Sequence, residues 1–315
     1  MKTGTTMRQL GEALDPPAGI VPFRARHRVF SGLSTAPARW RGRLLLAGAA
    51  AAVAVLLAGG VAVVAVRTVP GAPAENSEAL AVLTRAAAFV RLESPLSPKV
   101  DQFVFVEIKA WGPGRGPDAE RVALIRSWRS VNGDVDGLVQ RDAPGEGGRL
   151  EFPIPGCRNG RAPEWTGDGR LDATRTRPCE SEPGYRANLP TGPDGMLTFL
   201  RQLPAVAAGS QSAFAAAADL LQQTYIQPQA RAALFLAVAK LPGVTVRSGV
   251  ADAAGRAGVA VGQGNNTARQ ELIFEPETGQ FLGTQMNILG DEPTALRPTA
   301  LLRNTIVNRI GELPV

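Results

Sequence analysis

Histidine is nearly absent from this chain, because the only one among its 315 residues is His27, near the N-terminus. The rest of the chain therefore lacks the means for a Ser-His-Asp or Cys-His apparatus or a histidine-ligated zinc site. It also has no P-loop, no strand-linked GxGxxG motif and no GxSxG nucleophile elbow. We predict that the protein is not an enzyme and binds no cofactor or metal. A hydrolase that uses paired carboxylates is the least favoured alternative, since sequence does not show their separation.

An excess of basic over acidic residues is absent from the chain after residue 43. Residues 1–43 hold eight basic and two acidic residues, whereas residues 44–315 hold 26 of each and are neutral. A neutral folded part has no electrostatic footprint for nucleic acid, so we predict no nucleic-acid partner. The basic tail 1–43 is expected to lie on anionic lipid or to bind a cytoplasmic protein partner.

Residues 44–66 form an uncharged run of 23 residues built from Ala, Val, Leu and Gly. As a helix this run would be about 35 Å long, which is enough to cross a hydrocarbon core of about 30 Å. Trp40 and the arginines at 39, 41 and 43 precede it, so the positive-inside rule predicts a cytoplasmic N-terminus and an extracytoplasmic C-terminal part. The protein is predicted to be a single-pass protein of the cell membrane. A signal peptide cleaved after Ala74, in the sequence Ala72-Pro73-Ala74, is the alternative.

Cysteine is limited to Cys157 and Cys179, both on the predicted outer side. An oxidising location favours a disulfide between them, and the absence of CxxC spacing argues against a redox-active pair. Closing this loop is expected to stabilise the fold by about 3 kcal/mol.

After a linker at 67–77, residues 78–315 are predicted to form one extracytoplasmic α+β domain with an antiparallel sheet, flat or curved, and about four helices. The first helix is expected to be capped by Asn76 or Ser77. Its inward residues are predicted to be Leu80, Leu83, Ala87 and Val90.

Further helices are predicted at 194–203, 213–223 and 228–241. Strands are predicted at 103–108, 122–131, 135–139, 244–250, 258–261, 272–275, 280–286 and 304–310. Residues 141–190 are predicted to be a long loop rich in Gly, Pro and Arg.

The sequence Asn132-Gly133 is the strongest hairpin signal in the chain. Asn132, Asp134 and Asp136 also resemble the start of a calcium loop, but Ala143 stands where such a loop needs a bidentate glutamate. A tight hairpin without metal is therefore the favoured interpretation. The acidic residues Glu107, Asp134 and Glu271 are expected to be solvated or to lie at strand edges.

From residues 101–107 onward the chain resembles a family of actinobacterial single-pass membrane proteins of uncharacterised function, often associated with extracytoplasmic-function sigma factors. The similar stretches are 126–139, 189–201, 228–262 and 271–283, together with 10–17 in the tail. The resemblance implies no catalytic or binding residues. A weaker likeness is to lipoprotein-carrier-like regulatory domains, in which helices lie on the concave side of a curved antiparallel sheet.

Two functions follow as hypotheses. The first is a membrane-anchored binding or sensing protein of unknown ligand, linked to a sigma-factor pathway through its tail. The second is an anchored carrier of lipid or another apolar ligand, held between sheet and helices.

Overall fold

The computed structural model describes residues 74–113, 120–143, 148–265, 268–288 and 295–314. The predicted tail, the apolar segment 44–66 and most of the linker lie outside the described residues. Within the described ranges, no helix has both the length and the apolar character needed to cross a membrane. The described chain combines helices with a large antiparallel sheet, which confirms the predicted α+β class.

Five helices are present in the described residues, three of which begin with a proline. Their bounds are α1 Ala74–Val90, α2 Pro193–Gln202, α3 Pro204–Ala207, α4 Ala213–Gln223 and α5 Pro228–Val238. Proline suits the first helical position because its fixed φ matches the helix and its missing N–H has no intrahelical partner there. Helix α4 begins instead after Ser212, whose hydroxyl accepts a hydrogen bond from the backbone N–H of Ala215.

Eleven strands are present in the described residues. Before the helices α2 to α5 come β1 Phe103–Pro113, β2 Glu120–Ser130, β3 Gly137–Ala143, β4 Gly148–Ile154, β5 Arg161–Trp165 and β6 Leu171–Pro178. After the helices come β7 Thr245–Ala251, β8 Ala257–Gly264, β9 Ala268–Phe274, β10 Phe281–Ile288 and β11 Ala295–Val307.

Nine of these strands form one antiparallel sheet in the order β4-β3-β2-β1-β11-β10-β9-β8-β7, and β5 pairs only with β6. Strands β1 and β11 pair at the centre, so the first and last strands of the chain join its two halves. Strands β4 and β7 are the two edges. Pro153 and charged residues in β4, and a bulge between Arg247 and Val250 in β7, make both edges poor templates for further pairing.

The main core lies between the helices and the β7–β10 half of the sheet. Three phenylalanines meet there, with the Phe235 and Phe274 rings 5.3 Å apart and the Phe274 and Phe281 rings 5.8 Å apart. Three of the four residues predicted to face inward on α1 are buried, but Leu80 is 51% exposed and Ala79 is buried in its place. Helix α1 also begins at Ala74, ahead of both residues that were predicted to cap it.

The connection between β2 and β3 is wider than the predicted tight hairpin. Pairing stops at Trp128 and Leu138, which leaves a loop between them. A two-residue type I′ turn needs positive φ at both central residues, but among residues 131–136 only Gly133 has it, at φ 78°. Residues 181 and 182 pack against Gly133, so the loop serves as a contact surface for the chain that returns from β6.

The prediction of a long loop at 141–190 is wrong, because β4, β5 and β6 lie within this segment. Strand β4 extends the main sheet, and β5 and β6 form a separate hairpin. The composition of this segment suggested a loop because its strands contain many Arg, Pro and Gly residues. Few of their side chains are buried on either face of the strands. Ala162 is the one residue of β5 and β6 that is buried.

The predicted disulfide is present, joining Cys157 and Cys179 at a Cα–Cα distance of 5.9 Å. It closes the base of the β5–β6 hairpin. The backbone N–H of Cys157 donates to the carbonyl of Gly133, and the Ser181 hydroxyl donates to the carbonyl of Asn132. The disulfide therefore holds the hairpin beside the β2–β3 loop.

Replacing both cysteines by serine is expected to lower the free energy of unfolding by about 3 kcal/mol, because the unfolded chain regains the entropy of the open loop. Chemical denaturation of the full chain in detergent, followed by circular dichroism, measures the change. A reducing agent should destabilise the unmodified protein similarly and leave the double serine variant unaffected. An unmodified protein whose transition does not move on full reduction would contradict this expectation.

Candidate ligand-binding surface

The two faces of the nine-stranded sheet differ in what covers them. Helices α1, α2, α4 and α5 pack with Leu272 and Phe274 and so cover one face over β9. Tyr225, which follows α4, packs with Val104 and Val106, so the even-numbered residues of β1 lie on this same side. Because side chains alternate along a strand, the helix-facing side can be followed across the whole sheet.

The strand pairing shows which residues of β2, β3 and β4 lie on the helix-facing side. Ile108 lies opposite Ile125, Ile125 lies opposite Arg141, and Arg141 lies opposite Leu150. Six of the half-buried apolar side chains on this side of β1–β4 and β11 lie on the two rows of paired residues that run through Ile125 and Val139. They are Ile108, Ile125, Val139, Leu150, Phe152 and Leu301, and we name them the apolar sheet surface.

The apolar sheet surface lies beside the helical layer. Among the described elements, the helix–strand contacts are most extensive with β7 and β9, at the opposite end of the sheet. Tyr185 and Tyr225, whose rings are 5.9 Å apart, stand at the border next to Ile108 and Leu301. Arg141 lies within this region, between Ile125 and Leu150. A half-buried region with this many apolar side chains typically marks a binding site rather than ordinary surface.

Arg129 lies at one end of the apolar sheet surface. It is on the same side of β2 as Ile125, four residues away, or about 13 Å along the strand. Its Nη2 donates to Gln223 Oε1 at 3.3 Å, at the end of α4. Its Nε is buried and has no hydrogen-bond partner, and the same is true of the Nε of Arg186.

The chain segment that carries Arg186 approaches β2 closely. The backbone N–H of Gly184 donates to the carbonyl of Ser130 at 2.8 Å. A Cβ at position 184 would lie 3.0 Å from both the Cβ and the carbonyl oxygen of Arg129, so glycine permits this approach. Arg186 therefore follows within two residues of the contact with Arg129.

Both arginine side chains are partly desolvated. Burial lowers the pKa of Arg129, and the nearby charge of Glu182 offsets only part of this effect. Burial lowers the pKa of Arg186 in the same way, again opposed by Glu182. Within the described part of the chain, neither arginine forms an ion pair with a carboxylate. Both residues are half-buried overall, but a guanidinium with a buried, unpaired Nε–H and no ion pair is destabilising. This makes the pair unusual for a purely structural element.

The opposite face of the sheet contains a polar cluster that was not predicted. Glu271 was expected to be solvated or at a strand edge, yet its side chain is fully buried. Its carboxylate accepts hydrogen bonds from Arg247 at 2.6 Å, Arg269 at 2.8 Å and Asn287 at 2.9 Å. Burial alone would raise the pKa of Glu271, but the hydrogen bonds from Arg247 and Arg269 outweigh it and hold the pKa below its usual range. Since all of these donors are matched, the cluster stabilises the sheet and offers no open site.

Glu107 likewise departs from the expectation of a solvated group. It accepts a hydrogen bond from Arg126 Nε at 2.7 Å, and both side chains are largely buried, with 14% and 16% exposed. Arg126 in turn contacts Asp142, and Asp142 contacts Arg149. This ladder of alternating charges connects β1 to β4 on the face away from the helices.

The three residues considered for calcium lie in the β2–β3 loop, where their oxygens accept hydrogen bonds within the protein. Asn132 and Asp134 each accept from the hydroxyl of Ser130, and Asp136 accepts from the backbone N–H of Gly156 at 2.7 Å. In the described residues, no group of three or more His, Cys, Asp or Glu side chains is arranged to hold a metal ion.

A shallow cavity of about 460 Å³ lies near the other end of the helical layer. Ser212 and Pro242 line it from the helical side, and Gln263, Arg269 and Met286 line it from the sheet. Arg269 is already engaged by Glu271, and no described side chain in this cavity has a buried unsatisfied polar atom. The apolar sheet surface with its two arginines is therefore the better candidate site.

The sequence contained a signal for the candidate site that was not recognised. Ile125, Ser127 and Arg129 occupy alternate positions of a predicted strand, so they had to share one face. The partners in β4 could not be found, because Leu150 and Phe152 lay in the segment predicted as a loop. Arg186 and Gly184 lie in irregular structure, which periodicity does not detect.

The chain matches no model of a known protein family, and a comparison with curated proteins also finds no match.

Proposed function

We propose that the protein is a membrane-anchored extracytoplasmic binding protein whose ligand is an acyl chain or a similarly apolar group, bound on the apolar sheet surface. The observation that carries the proposal is the position of this surface, which faces the helical layer but extends beyond it. Six apolar side chains there are half-buried, whereas those under the helices, such as Phe235 and Phe274, are buried. Binding an apolar ligand would remove the exposed part from water.

The core under the helices argues against a ligand enclosed between helices and β9. Leu83, Met196, Leu200, Phe214 and Leu234 fill this space and are each at most 1% exposed. An enclosed carrier cavity would leave such side chains without neighbours on one side. The open half of the sheet is consequently favoured as the binding region.

Closeness to a bilayer supports an apolar ligand. In the proposed topology the apolar segment ends at residue 66 and α1 begins at Ala74. The seven residues between them could extend over at most about 25 Å. The domain would thus remain within reach of the membrane, where molecules with acyl chains are abundant. The resemblance of the chain to single-pass membrane proteins agrees with this arrangement.

Photo-crosslinking tests the proposal on the full chain in phosphatidylcholine vesicles. Hexadecanol carrying a diazirine on its chain is expected to label peptides from β1 to β4, as mapped by mass spectrometry after digestion. Val139→Asp should reduce this labelling about ten-fold, because a carboxylate on the apolar sheet surface must be desolvated when the chain binds. Leu92→Asp is the matched control, since Leu92 is 85% exposed and lies outside the surface.

Labelling of β1 to β4 that is absent, or equal in the Val139→Asp and Leu92→Asp variants, would remove the proposal. Circular dichroism melting of both variants establishes that they are folded, so that lost labelling reports lost binding.

A further inference from the structure

We propose that Arg129 and Arg186 form an anion subsite at the end of the apolar sheet surface, so that the ligand is an amphiphile with an acyl chain and a carboxylate or phosphate head group. This inference rests on the proposed function and specifies the chemistry of its ligand. It is carried by two buried Nε–H donors without hydrogen-bond partners, each on a guanidinium without a close carboxylate.

Folded proteins usually avoid burying a hydrogen-bond donor that has no acceptor. Each buried N–H that loses its water without gaining an acceptor destabilises the fold, and the loss is larger for a charged group. Two acceptors at the end of α4 are already engaged. Gln223 Oε1 accepts a hydrogen bond from Arg129 Nη2, and the carbonyl of Thr224 accepts one from Asn304. An anionic oxygen from a ligand would satisfy these donors and neutralise the charges together.

The guanidinium group suits this role in particular. Nε–H and one Nη–H of arginine point in parallel and can donate to two oxygens of one carboxylate or phosphate. In Arg129 the Nε–H is unused, while a hydrogen bond from Nη2 to Gln223 holds the group against α4. Arg129 is therefore oriented by the protein and still has donors for a ligand.

The direction of the ligand follows from the order of residues on β2. Arg129 is at one end, Ser127 comes next on the same side, and Ile125 lies beyond. With the head group at Arg129, an acyl chain would extend over Ile125 and across to Val139 and Phe152. The head group of one amphiphile would thereby meet Arg129, and its acyl chain would meet apolar side chains on the same sheet face, which also carries Arg141.

Glu182 adjusts the strength of this subsite. It is an exposed carboxylate whose charge acts on both arginines, and it partly compensates for their burial. Since it forms no close ion pair with either arginine among the described residues, it lowers the positive potential without occupying the donors. Removing its charge should strengthen anion binding.

The test compares two photo-crosslinkers that differ only in their head groups. Diazirine-labelled palmitic acid and hexadecanol are added separately to the full chain in phosphatidylcholine vesicles at alkaline pH, where the acid is ionised. Labelled peptides from β1 to β4 are then quantified. We expect the acid to label at least about ten-fold more than the alcohol, as charge-assisted hydrogen bonds are the strong ones.

Variants assign this preference to the arginines. In the double variant Arg129→Met with Arg186→Met, the acid-to-alcohol ratio should fall about ten-fold. Arg201→Met on α2 removes one exposed positive charge and should leave the ratio unaltered. Glu182→Gln should raise the ratio several-fold, and it changes an exposed residue, so it provides a second reading if the double variant does not fold.

Competition distinguishes the source of the anion. Phosphatidylglycerol that displaces the acid probe where phosphatidylcholine does not would support the subsite and identify an anionic lipid. Inorganic phosphate that displaces the acid probe but not the alcohol would support the subsite as a site for a free anion.

The outcomes separate the two proposals. An acid-to-alcohol ratio near one in the unmodified protein, or a ratio that the arginine and Glu182 variants leave unchanged, overturns the anion subsite while labelling by hexadecanol upholds the proposed function. Absence of labelling by both probes overturns the proposed function as well.

Discussion

Replacing Trp128 by alanine is expected to lower the free energy of unfolding by about 4 kcal/mol, the largest effect of a single substitution that we predict. Trp128 is fully buried on the face of the sheet away from the helices, with its ring 5.3 Å from that of Phe105. Phe103 and Val307 complete this second small core. Truncation would leave a cavity between the central strands, which are too extensively paired to collapse into it.

The C-terminal segment accounts for part of this effect. The indole Nε1–H of Trp128 donates to the carbonyl of Glu312 at 2.8 Å, and Arg303 donates to the carbonyl of Pro314. The chain end thereby folds back over Trp128 after β11. Trp128→Phe retains most of the apolar volume and loses this hydrogen bond, so we expect it to cost only about 1 kcal/mol.

Trp165→Ala is the matched control for Trp128→Ala, because Trp165 is 41% exposed on the β5–β6 hairpin. Its replacement should cost under about 1 kcal/mol. Urea denaturation of the full chain in detergent, followed by circular dichroism, compares the three variants. Equal losses for Trp128→Ala and Trp165→Ala would contradict the assignment of a second core to the face away from the helices.

The helical half of the fold was predictable because its residues obey a local rule. Helix α4 has the predicted bounds 213–223, because Ser212 caps its start and its apolar residues recur with the period of a helix. Helix α5 begins at Pro228 as predicted but ends at Val238 rather than at 241. The prediction that Leu80 faces inward is wrong. In an Ala-rich helix the periodic pattern does not distinguish Leu80 from Ala79, and in the structure Ala79 is buried.

The polar parts of the sheet were not predictable from local pattern. Glu271 precedes the buried residues Leu272, Ile273 and Phe274 in β9. The pattern within this one strand does not show which residues of other strands contact Glu271. Its partner Arg247 comes from β7 and Asn287 from β10, and only strand pairing brings them together. The same reasoning applies to Arg129 and Arg186, whose proximity depends on the return of the chain after the disulfide.

The buried charge of Glu271 leads to a prediction that depends on pH. Glu271→Gln is expected to lower the free energy of unfolding by about 3 kcal/mol at neutral pH, because the amide NH₂ faces donors that are already positively charged. Arg247 retains 43% of its side-chain exposure and can be hydrated, which keeps the loss from being larger. The neutral variant also has no counter-charge for Arg269, whose side chain is only 20% exposed.

The pKa of Glu271 in the folded protein is lower than in the unfolded chain, where it is about 4.3. A depressed pKa contributes stability that is fully present above the unfolded value and is lost as the pH falls through the folded value. The difference in stability between the unmodified protein and Glu271→Gln should therefore be constant around neutral pH and shrink progressively below about pH 4.3. Glu277→Gln, at an exposed turn position, should change stability little at any pH. Urea denaturation of the three proteins across this range provides the measurement. A difference that stays constant into the acid range would show that shape and packing, rather than the buried negative charge, account for the contribution of Glu271.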